Sequence, residues 1–228
     1  MPAPSRPPAT AAIFDLDGTL VDNMRFHVQA WSAFAQAHGV HAPAERFERE
    51  FAGKRNEEIL PALLGRELGA EEAARLAEQK ESHYRELFAP HLTPLAGARE
   101  LLTRLRDAGR GLAVASAAPP QNRAFVLEGT GLRPLFAHVL GAEHVTRGKP
   151  FPDLFLAAAK ALGVEPSGCV VFEDALNGIL AARAAGMCAV GITTLVPAHA
   201  LREAGAQWIL SDFTSLPDEL LHWLLPPG

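Results

Sequence analysis

The sequence predicts an α/β protein with a parallel, doubly wound sheet and an inserted helical segment. Six short apolar runs recur along the chain with helix-like stretches between them. Several runs are almost continuously hydrophobic, as strands covered on both faces must be. The alternation stops over residues 24–92, where only helical periodicity is found. These observations predict a sheet core interrupted by a second, helical unit.

The six apolar runs are the predicted strands of the core, which comprises residues 11–23 and 93–228. In chain order they are AAIF (11–14), GLAVAS (111–116), AHVLG (137–141), CVVFED (169–174), CAVGIT (188–193) and QWILSD (207–212). Helices are predicted between them at residues 98–108, 154–162 and 176–185. Strands that alternate with helices in this way are typical of a parallel sheet with helices on both faces.

Residues 24–92 are predicted to form a helical cap. One helix face carries Phe26, Ala30, Phe34 and Ala37, and another carries Ile59, Leu63 and Leu64. Pro94 and Gly97 follow this segment and suit a hinge and a turn. Residues 1–10 contain four prolines and lack the apolar stretch of a secretory signal, so we expect a disordered tail there.

The composition limits the partners of the chain. Of its 228 residues 48% are hydrophobic, which is enough for a full core, and the net charge of −5 with scattered Lys and Arg disfavours nucleic acid and anionic membranes. No apolar run is long enough to span a membrane. Cys169 and Cys188 lie in apolar runs and are predicted to be buried free thiols of a reducing compartment. We expect a monomer in the cytoplasm.

Polar side chains follow the predicted strands of the sheet. They are Asp15 and Asp17 after the first strand, Ser116 at the end of the second, Lys149 shortly after the third, and Glu173 and Asp174 at the end of the fourth. Ligands of open parallel sheets bind beyond the carboxyl ends of the strands, so these side chains are expected at one rim. Taken singly, each has a plainer reading as a helix cap, a solvated turn or a surface lysine. The ordered set favours a functional site.

Converging carboxylates repel one another unless a cation lies between them. Hard oxygen ligands that leave room for water and phosphate suit Mg²⁺. With the metal and Lys149 offsetting negative charge, Asp15 is predicted to attack a phosphoryl group and form an aspartyl phosphate. Asp17 is predicted to protonate the leaving oxygen and then to deprotonate the attacking water. Thr19 and Ser116 are candidate donors to phosphate oxygens.

The segments DLDGTLVD, VASA, GKPFPD and VFEDALNGI resemble the four ordered motifs of the haloacid dehalogenase superfamily. The resemblance implies a Rossmann-like core, a mobile cap and Mg²⁺ as cofactor. It implies that Asp15 is the nucleophile and a metal ligand, and that Asp17 is the acid/base with its carbonyl on the metal. The last motif would supply Asp174 as a ligand with support from Glu173. The transferring phosphate would be held by Ser116, Ala117 and Lys149.

The helical insert NMRFHVQAW resembles the cap of the β-phosphoglucomutase-like branch. This resemblance implies that His27 and Lys80 face the active site, and that Lys54, Arg55 and Asn56 contact the substrate. On the residues alone, His27 could instead share a packed helix face with Trp31, and Lys80 would be a solvated lysine in a charged segment.

Two departures from the mutase pattern bear on the reaction. Asn56 stands where the mutase has an Arg for a second phosphate, and prolines of SAAPPQN replace a Lys. A mutase must rebind its bisphosphate intermediate in the reversed orientation. The loss of two charge-assisted contacts, worth about 1.5–3 kcal/mol each, would weaken that binding. The prediction is hydrolysis of small phosphorylated metabolites such as sugar phosphates, with a β-phosphoglucomutase-type mutase as the alternative.

Three other functions are compatible with parts of this pattern. The first motif of the dehalogenase branch has no second aspartate, so the presence of Asp17 argues against haloacid dehalogenation. Phosphonate hydrolysis would use a Schiff-base lysine, for which Lys54 or Lys80 is a weak candidate. A non-catalytic module that binds phosphorylated metabolites remains as a less favoured reading, because a binder needs no acid/base beside a nucleophile.

Overall fold

The computed structural model of the chain describes residues 8–43, 46–47 and 54–225. Its centre is a six-stranded parallel sheet with the strand order β3-β2-β1-β4-β5-β6. The strands are β1 (Ala11–Phe14), β2 (Gly111–Ala115), β3 (His138–Leu140), β4 (Cys169–Glu173), β5 (Cys188–Ile192) and β6 (Trp208–Leu210). Each predicted run therefore contains a strand, and the predicted doubly wound α/β fold is confirmed.

Nine α-helices accompany these strands in the described part of the chain. They are α1 (Met24–Ala37), α2 (Asn56–Leu64), α3 (Ala70–Phe88), α4 (Ala98–Asp107), α5 (Pro120–Gly129), α6 (Asp153–Leu162), α7 (Leu176–Ala184), α8 (Ala198–Glu203) and α9 (Asp218–Leu224). The helices predicted at 98–108, 154–162 and 176–185 correspond to α4, α6 and α7, with ends that differ by one residue.

Strand β1 shows why the core strands are hydrophobic at every position. Ala12 and Phe14 pack into the apolar cluster on one face of the sheet, and Ala11 and Ile13 pack into the cluster on the other face. A strand buried on both faces has no position that tolerates a polar side chain. The continuous apolar run in the sequence is therefore a consequence of the central place of β1.

The register of the sheet brings the ends of three strands level. Phe14 of β1 is paired with Val114 of β2 and with Phe172 of β4. The rings of Phe14 and Phe172 stack with centroids 4.5 Å apart. The chain order reverses between β1 and β4, and this is the switch point at which such sheets bind ligands.

Helices α1, α2 and α3 share a small apolar core of their own. Its buried members are Trp31, Phe34, Ala35, Phe47, Ile59, Leu60, Leu63 and Leu76. Helices α1 and α3 also contribute Phe26, Ala30, Tyr84 and Phe88 to the main core, which joins the segment to the sheet unit. Ala37, predicted on the buried face of α1, is exposed, because α1 ends there and the last turn faces outward.

The N-terminal segment joins the fold earlier than expected. Ala9 is buried and its N–H donates to the carbonyl of Trp223, and the N–H of Thr10 donates to the carbonyl of Gly168, both at 2.9 Å. The prediction of a tail over residues 1–10 is thus wrong at Ala9 and Thr10, while residues 1–7 lie outside the described residues. The bond of Thr10 continues the pairing of β1 with β4, since Gly168 directly precedes β4, whereas the bond of Ala9 ties the chain to α9.

Two further expectations concern the whole chain. Cys169 and Cys188 are both buried and are not joined in a disulfide, as predicted. Within the described residues, no helix has both the length and the apolar character needed to cross a membrane.

Candidate active site

Three buried carboxylates lie together at the carboxyl ends of β1 and β4. Asp15, Glu173 and Asp174 each place an oxygen within 4.8 Å of the others. Asp15 directly follows β1, Glu173 is the last residue of β4, and Asp174 follows it. Since β1 and β4 are neighbours in the sheet, the topology alone brings these residues to one point of the rim.

Lys149 reaches the same point from the loop after β3. Its Nζ donates to Asp15 Oδ1 at 2.6 Å and to Glu173 Oε2 at 2.7 Å. Its side chain is only 2% exposed. The chain thus gathers one cation and three carboxylates, from segments more than 130 residues apart, as the strand-end argument predicts.

The charges of this cluster do not balance. Burial raises the pKa of Asp15 to about 7, with Lys149 opposing the rise and Glu173 adding to it. Burial, with the charges of Glu173 and Asp15, also holds the pKa of Asp174 well above its usual range. The adjacent carboxylates Asp15 and Glu173 raise the pKa of Lys149 despite its burial. The rim therefore favours a proton or another cation.

The donor set fits a hard divalent cation. Oδ2 of Asp174 is buried and has no hydrogen-bond partner among the described residues. The other Asp174 oxygen accepts from the hydroxyl of Thr19 at 3.4 Å. A carboxylate oxygen without a partner, next to two more carboxylates, offers the oxygen ligands that Mg²⁺ prefers. Asp15, Asp174 and Glu173 are the residues that could hold it.

Gly18 leaves the space in which Asp174 lies. Its φ is 74°, which is in the left-handed region, and a Cβ built there would lie 1.9 Å from Asp174 Oδ2. Its carbonyl accepts a hydrogen bond from the hydroxyl of Thr194, which follows β5. Glycine is needed here both for the turn after β1 and for the approach of Asp174.

Asp17 lies on the helical side of the cavity and is held by Asn23. The amide of Asn23 donates to Asp17 Oδ1 at 2.5 Å, and its Oδ1 accepts from the N–H of Gly18 at 2.9 Å. Nε2 of His27 lies 3.7 Å from the same Asp17 oxygen. Burial alone would raise the pKa of Asp17, but the contacts with His27 and Asn23 bring it below its usual value.

The helical wall of the cavity contains a second buried ion pair. Nζ of Lys80 donates to Glu81 Oε1 at 3.0 Å and lies 2.8 Å from Nδ1 of His27. The imidazole of His27 stacks on Tyr84 with centroids 3.7 Å apart. Lys80 is 2% exposed, so the reading of a solvated lysine is wrong, because Glu81 provides the partner that allows its burial.

Most of the predicted site residues line one cavity between the sheet rim and the helices. They are Asp15, Asp17, His27, Lys54, Asn56, Lys80, Ser116, Ala117, Lys149, Glu173 and Asp174. The hydroxyl oxygen of Ser116 accepts from the N–H of Ala118 at 3.1 Å, which leaves its own proton for another acceptor.

Two predicted residues are placed elsewhere. Thr19 does not line the cavity, and its hydroxyl donates to Asp174. Arg55 also lies outside the lining, because its guanidinium turns to Glu58 at 3.4 Å at the start of α2. A substrate contact by either residue is not supported by these positions.

Sequence reasoning missed the residues that complete the network. Asn23, Glu81, Tyr84 and Asn122 are buried polar side chains beside the predicted ones. Of these residues, only Asn23 could have been noticed in the sequence. It is a short polar residue that directly follows Asp22 and precedes α1. Glu81 and Tyr84 lie in a charged stretch and Asn122 follows two prolines and a glutamine, so the sequence around them gives no sign of burial.

Comparison with known proteins agrees with this geometry. Residues 9–186 match the family model described as haloacid dehalogenase-like hydrolase. The chain is 36% identical to validoxylamine A 7'-phosphate phosphatase of Streptomyces hygroscopicus subsp. limoneus, over 90% of this chain and 94% of that protein. It is 33% identical to β-phosphoglucomutase of Bacillus subtilis, over 93% of each chain.

Among solved structures, the β-phosphoglucomutase of Clostridium difficile superposes with a TM-score of 0.83. The two chains are 28% identical, and the match covers 95% of this chain and 96% of the other.

Proposed function

Since the chain belongs to the haloacid dehalogenase-like hydrolases and its relatives include a phosphatase and a phosphoglucomutase, we propose a Mg²⁺-dependent phosphatase of small phosphorylated metabolites, chiefly sugar phosphates. The observation that carries this proposal is the cluster at the sheet rim. Asp15 is buried within hydrogen-bond distance of Lys149, beside two further carboxylates and a Ser hydroxyl in the same cavity. This arrangement suits phosphoryl transfer by positioning and charge stabilisation.

The first step assigns Asp15 as the nucleophile. Bound Mg²⁺ would supply the positive charge that lets a carboxylate approach a phosphoryl group. The Asp15 carboxylate attacks phosphorus, the bond to the leaving oxygen breaks, and an aspartyl phosphate forms. Lys149 and the Ser116 hydroxyl donate to the phosphoryl oxygens and orient the group for this displacement.

The second step assigns proton transfer to Asp17. In the free protein its pKa lies below the usual value, so the side chain is ionised and suited to deprotonate the attacking water. A phosphate dianion placed beside it would raise that pKa, because like charges disfavour the ionised form. As substrate binds, Asp17 would take up a proton from solvent, and it would donate this proton to the leaving oxygen when the bond to phosphorus breaks.

We also propose that residues 24–92 act as a cap over the bound substrate. Helices α1, α2 and α3 have their own small core and contribute His27, Lys80 and Asn56 to the cavity wall. Water excluded from the closed cavity would not compete with Asp15 for the phosphoryl group. Opening or rearrangement would then admit the hydrolytic water.

Hydrolysis is preferred over the mutase reaction because a mutase needs a second binding site for the phosphate that does not react. Pro119 lines the cavity and Pro120 begins α5, and neither can offer a charge to another phosphate. The amide of Asn56 donates to Glu81 at 2.8 Å and is already engaged. The mutase remains the second candidate, supported by 33% identity to the mutase of Bacillus subtilis.

The test is release of inorganic phosphate from a panel of hexose, pentose and alditol phosphates and p-nitrophenyl phosphate, with Mg²⁺ or with EDTA. We expect Mg²⁺-dependent release from at least one sugar phosphate. Binding without release from any ester would instead favour a non-catalytic module. Phosphorus NMR of β-glucose 1-phosphate separates the other alternative, since glucose 6-phosphate formed faster than inorganic phosphate would reverse the order of the two reactions.

A further inference from the structure

Glu81 lies in the cavity wall opposite the sheet rim and is almost fully buried. It belongs to α3, lines the cavity and is 3% exposed. Its Oε1 accepts from Lys80 Nζ at 3.0 Å and from Asn56 Nδ2 at 2.8 Å, and its Oε2 accepts from Asn122 Nδ2 at 2.7 Å. Hydrogen bonds to this carboxylate thus link α3 with α2 and α5.

The donors around Glu81 are engaged with it or with one another. Lys80 divides its ammonium between Glu81 and His27. The carbonyl oxygen of Asn122 accepts from Arg85 at 2.8 Å, and Arg85 also pairs with Glu78 at 2.5 Å. A ligand that approached Glu81 would meet donors that already have acceptors, although Nε2 of His27 elsewhere in this wall has no hydrogen-bond partner among the described residues.

The charges of Lys80 and Glu81 in this wall balance each other. Lys80 contributes one positive charge and Glu81 one negative charge, and Asn56 is neutral. Within the described part of the lining, Lys54 is the remaining lysine or arginine on the helical side and is exposed, and Asp17 adds a carboxylate there. A second phosphate would carry roughly two negative charges into a wall that offers a carboxylate and one solvent-exposed lysine.

We propose that Glu81 is a specificity-determining residue that restricts the cavity to monophosphate esters by neutralising Lys80 and occupying the amide of Asn56. This inference rests on the proposed function for the cavity being a phosphate-ester site. A monophosphate places its one anionic group at the rim near Lys149 and its neutral part at the Glu81 wall. A bisphosphate would place an anion beside a buried carboxylate, and specificity of this kind comes from repulsion.

Glu81→Gln tests the charge while nearly preserving the shape. The substitution leaves Lys80 without its counter-charge, so the wall gains a net positive charge. The matched control is Glu78→Gln, which removes the same charge from the same helix at an exposed position paired with Arg85. Both are made on an Asp15→Asn background, so that binding is measured without turnover.

The measurement is calorimetric titration with fructose 1-phosphate and with fructose 1,6-bisphosphate in the presence of Mg²⁺. In the Asp15→Asn background, we expect the bisphosphate to bind no more tightly than the monophosphate. Glu81→Gln should raise the affinity for the bisphosphate relative to the monophosphate by about ten- to a hundredfold, the value of one or more charge-assisted contacts. Glu78→Gln should leave that ratio within about twofold, since exposed pairs contribute little.

An unchanged ratio in folded Glu81→Gln protein would overturn the inference. So would tenfold tighter binding of the bisphosphate to the Asp15→Asn background alone, a measurement that holds even if Glu81→Gln does not fold. Absence of binding by both esters in every variant would overturn it as well. Wild-type protein that binds these esters without hydrolysing any would instead count against the proposed function and leave the Glu81 result standing.

Discussion

Lys149 and Lys80 are two buried lysines in one cavity, yet their surroundings differ in charge balance. Lys149 pairs with Asp15 and Glu173 and has Asp174 beside them, so carboxylates outnumber it three to one. Lys80 has one carboxylate partner, Glu81, whose other contacts are neutral amides. The adjacent carboxylates raise the pKa of Lys149, whereas burial lowers the pKa of Lys80. The rim therefore has an excess of negative charge that favours a bound cation, whereas the charges of Lys80 and Glu81 balance each other.

The strongest test of the rim is the substitution Asp15→Asn. It removes the nucleophile while keeping the side-chain shape, so we expect turnover to fall below detection with the fold intact. Phosphate release and circular dichroism measure the two effects. Asp22→Asn is the matched control, because Asp22 is an exposed aspartate of the same segment and should leave turnover unchanged. Turnover retained by Asp15→Asn would remove Asp15 from the nucleophile role.

The second test concerns Asp17 on the helical side. Asp17→Asn should slow hydrolysis of a sugar phosphate by about 10²–10⁴-fold, the usual size of general acid/base catalysis. The loss should be smaller for p-nitrophenyl phosphate, since its leaving group scarcely needs a proton. The ratio of kcat values for the two substrates measures this difference. Equal losses on both would contradict the acid role.

The third test compares the two lysines directly. Lys149→Met leaves buried carboxylates uncompensated and should lower the free energy of unfolding in EDTA by about 3–5 kcal/mol. Lys80→Met combined with Glu81→Gln removes a balanced pair and should cost less. Urea unfolding followed by circular dichroism gives both values. Lys160→Met, at an exposed position of α6, should change the free energy by about 0.5 kcal/mol or less.

Mg²⁺ should restore part of the stability lost in Lys149→Met, because a bound cation offsets the same negative charge. A larger loss for the Lys80 and Glu81 double variant than for Lys149→Met would reverse the contrast between the two sides of the cavity.

The smallest expected effect is a dependence on pH that the metal removes. The pKa of Asp15 is about 7 in the folded protein against 3.8 in its ordinary state. Between these values the folded state binds more protons than the unfolded state, so the free energy of unfolding of metal-free protein should fall as pH rises. The proposed Mg²⁺ would bind the ionised carboxylates, so it should stabilise the protein more at about pH 7 than at about pH 5.

Thermal unfolding in EDTA and in Mg²⁺ across this range measures the effect. The Asp15→Asn variant lacks the titrating group and should show a flatter metal-free profile. Metal-free stability that rises between about pH 4 and pH 7 by as much in wild type as in this variant would contradict the shift assigned to Asp15.

The rim could be predicted from the sequence because topology determines it. Once six apolar runs are read as parallel strands, the residues that end β1, β2 and β4 must lie at one edge. The register confirms this, since Phe14 is level with both Val114 and Phe172. The boundary at Ala9 was missed because its burial depends on Trp223, more than 200 residues away.

The helical wall could not be predicted in the same way. Glu81 and Asn122 meet because α3 and α5 come together in three dimensions, and neither position stands out from its polar neighbours in the sequence. Lys80 looked like a surface lysine for the same reason. Thr19 shows a different difficulty. Its position after β1 could be predicted, but the contact of its hydroxyl with Asp174 could not.

Gly18 limits how this enzyme could diverge. Any other residue there would place a Cβ 1.9 Å from an oxygen of Asp174 and would have to adopt a φ of 74°. A duplicated copy of the gene could therefore acquire a new substrate through changes at positions such as 54, 56 and 81, while every intermediate on that evolutionary path would have to retain glycine at 18. Selection for new specificity and selection for the shared chemistry would then act on separate parts of one cavity.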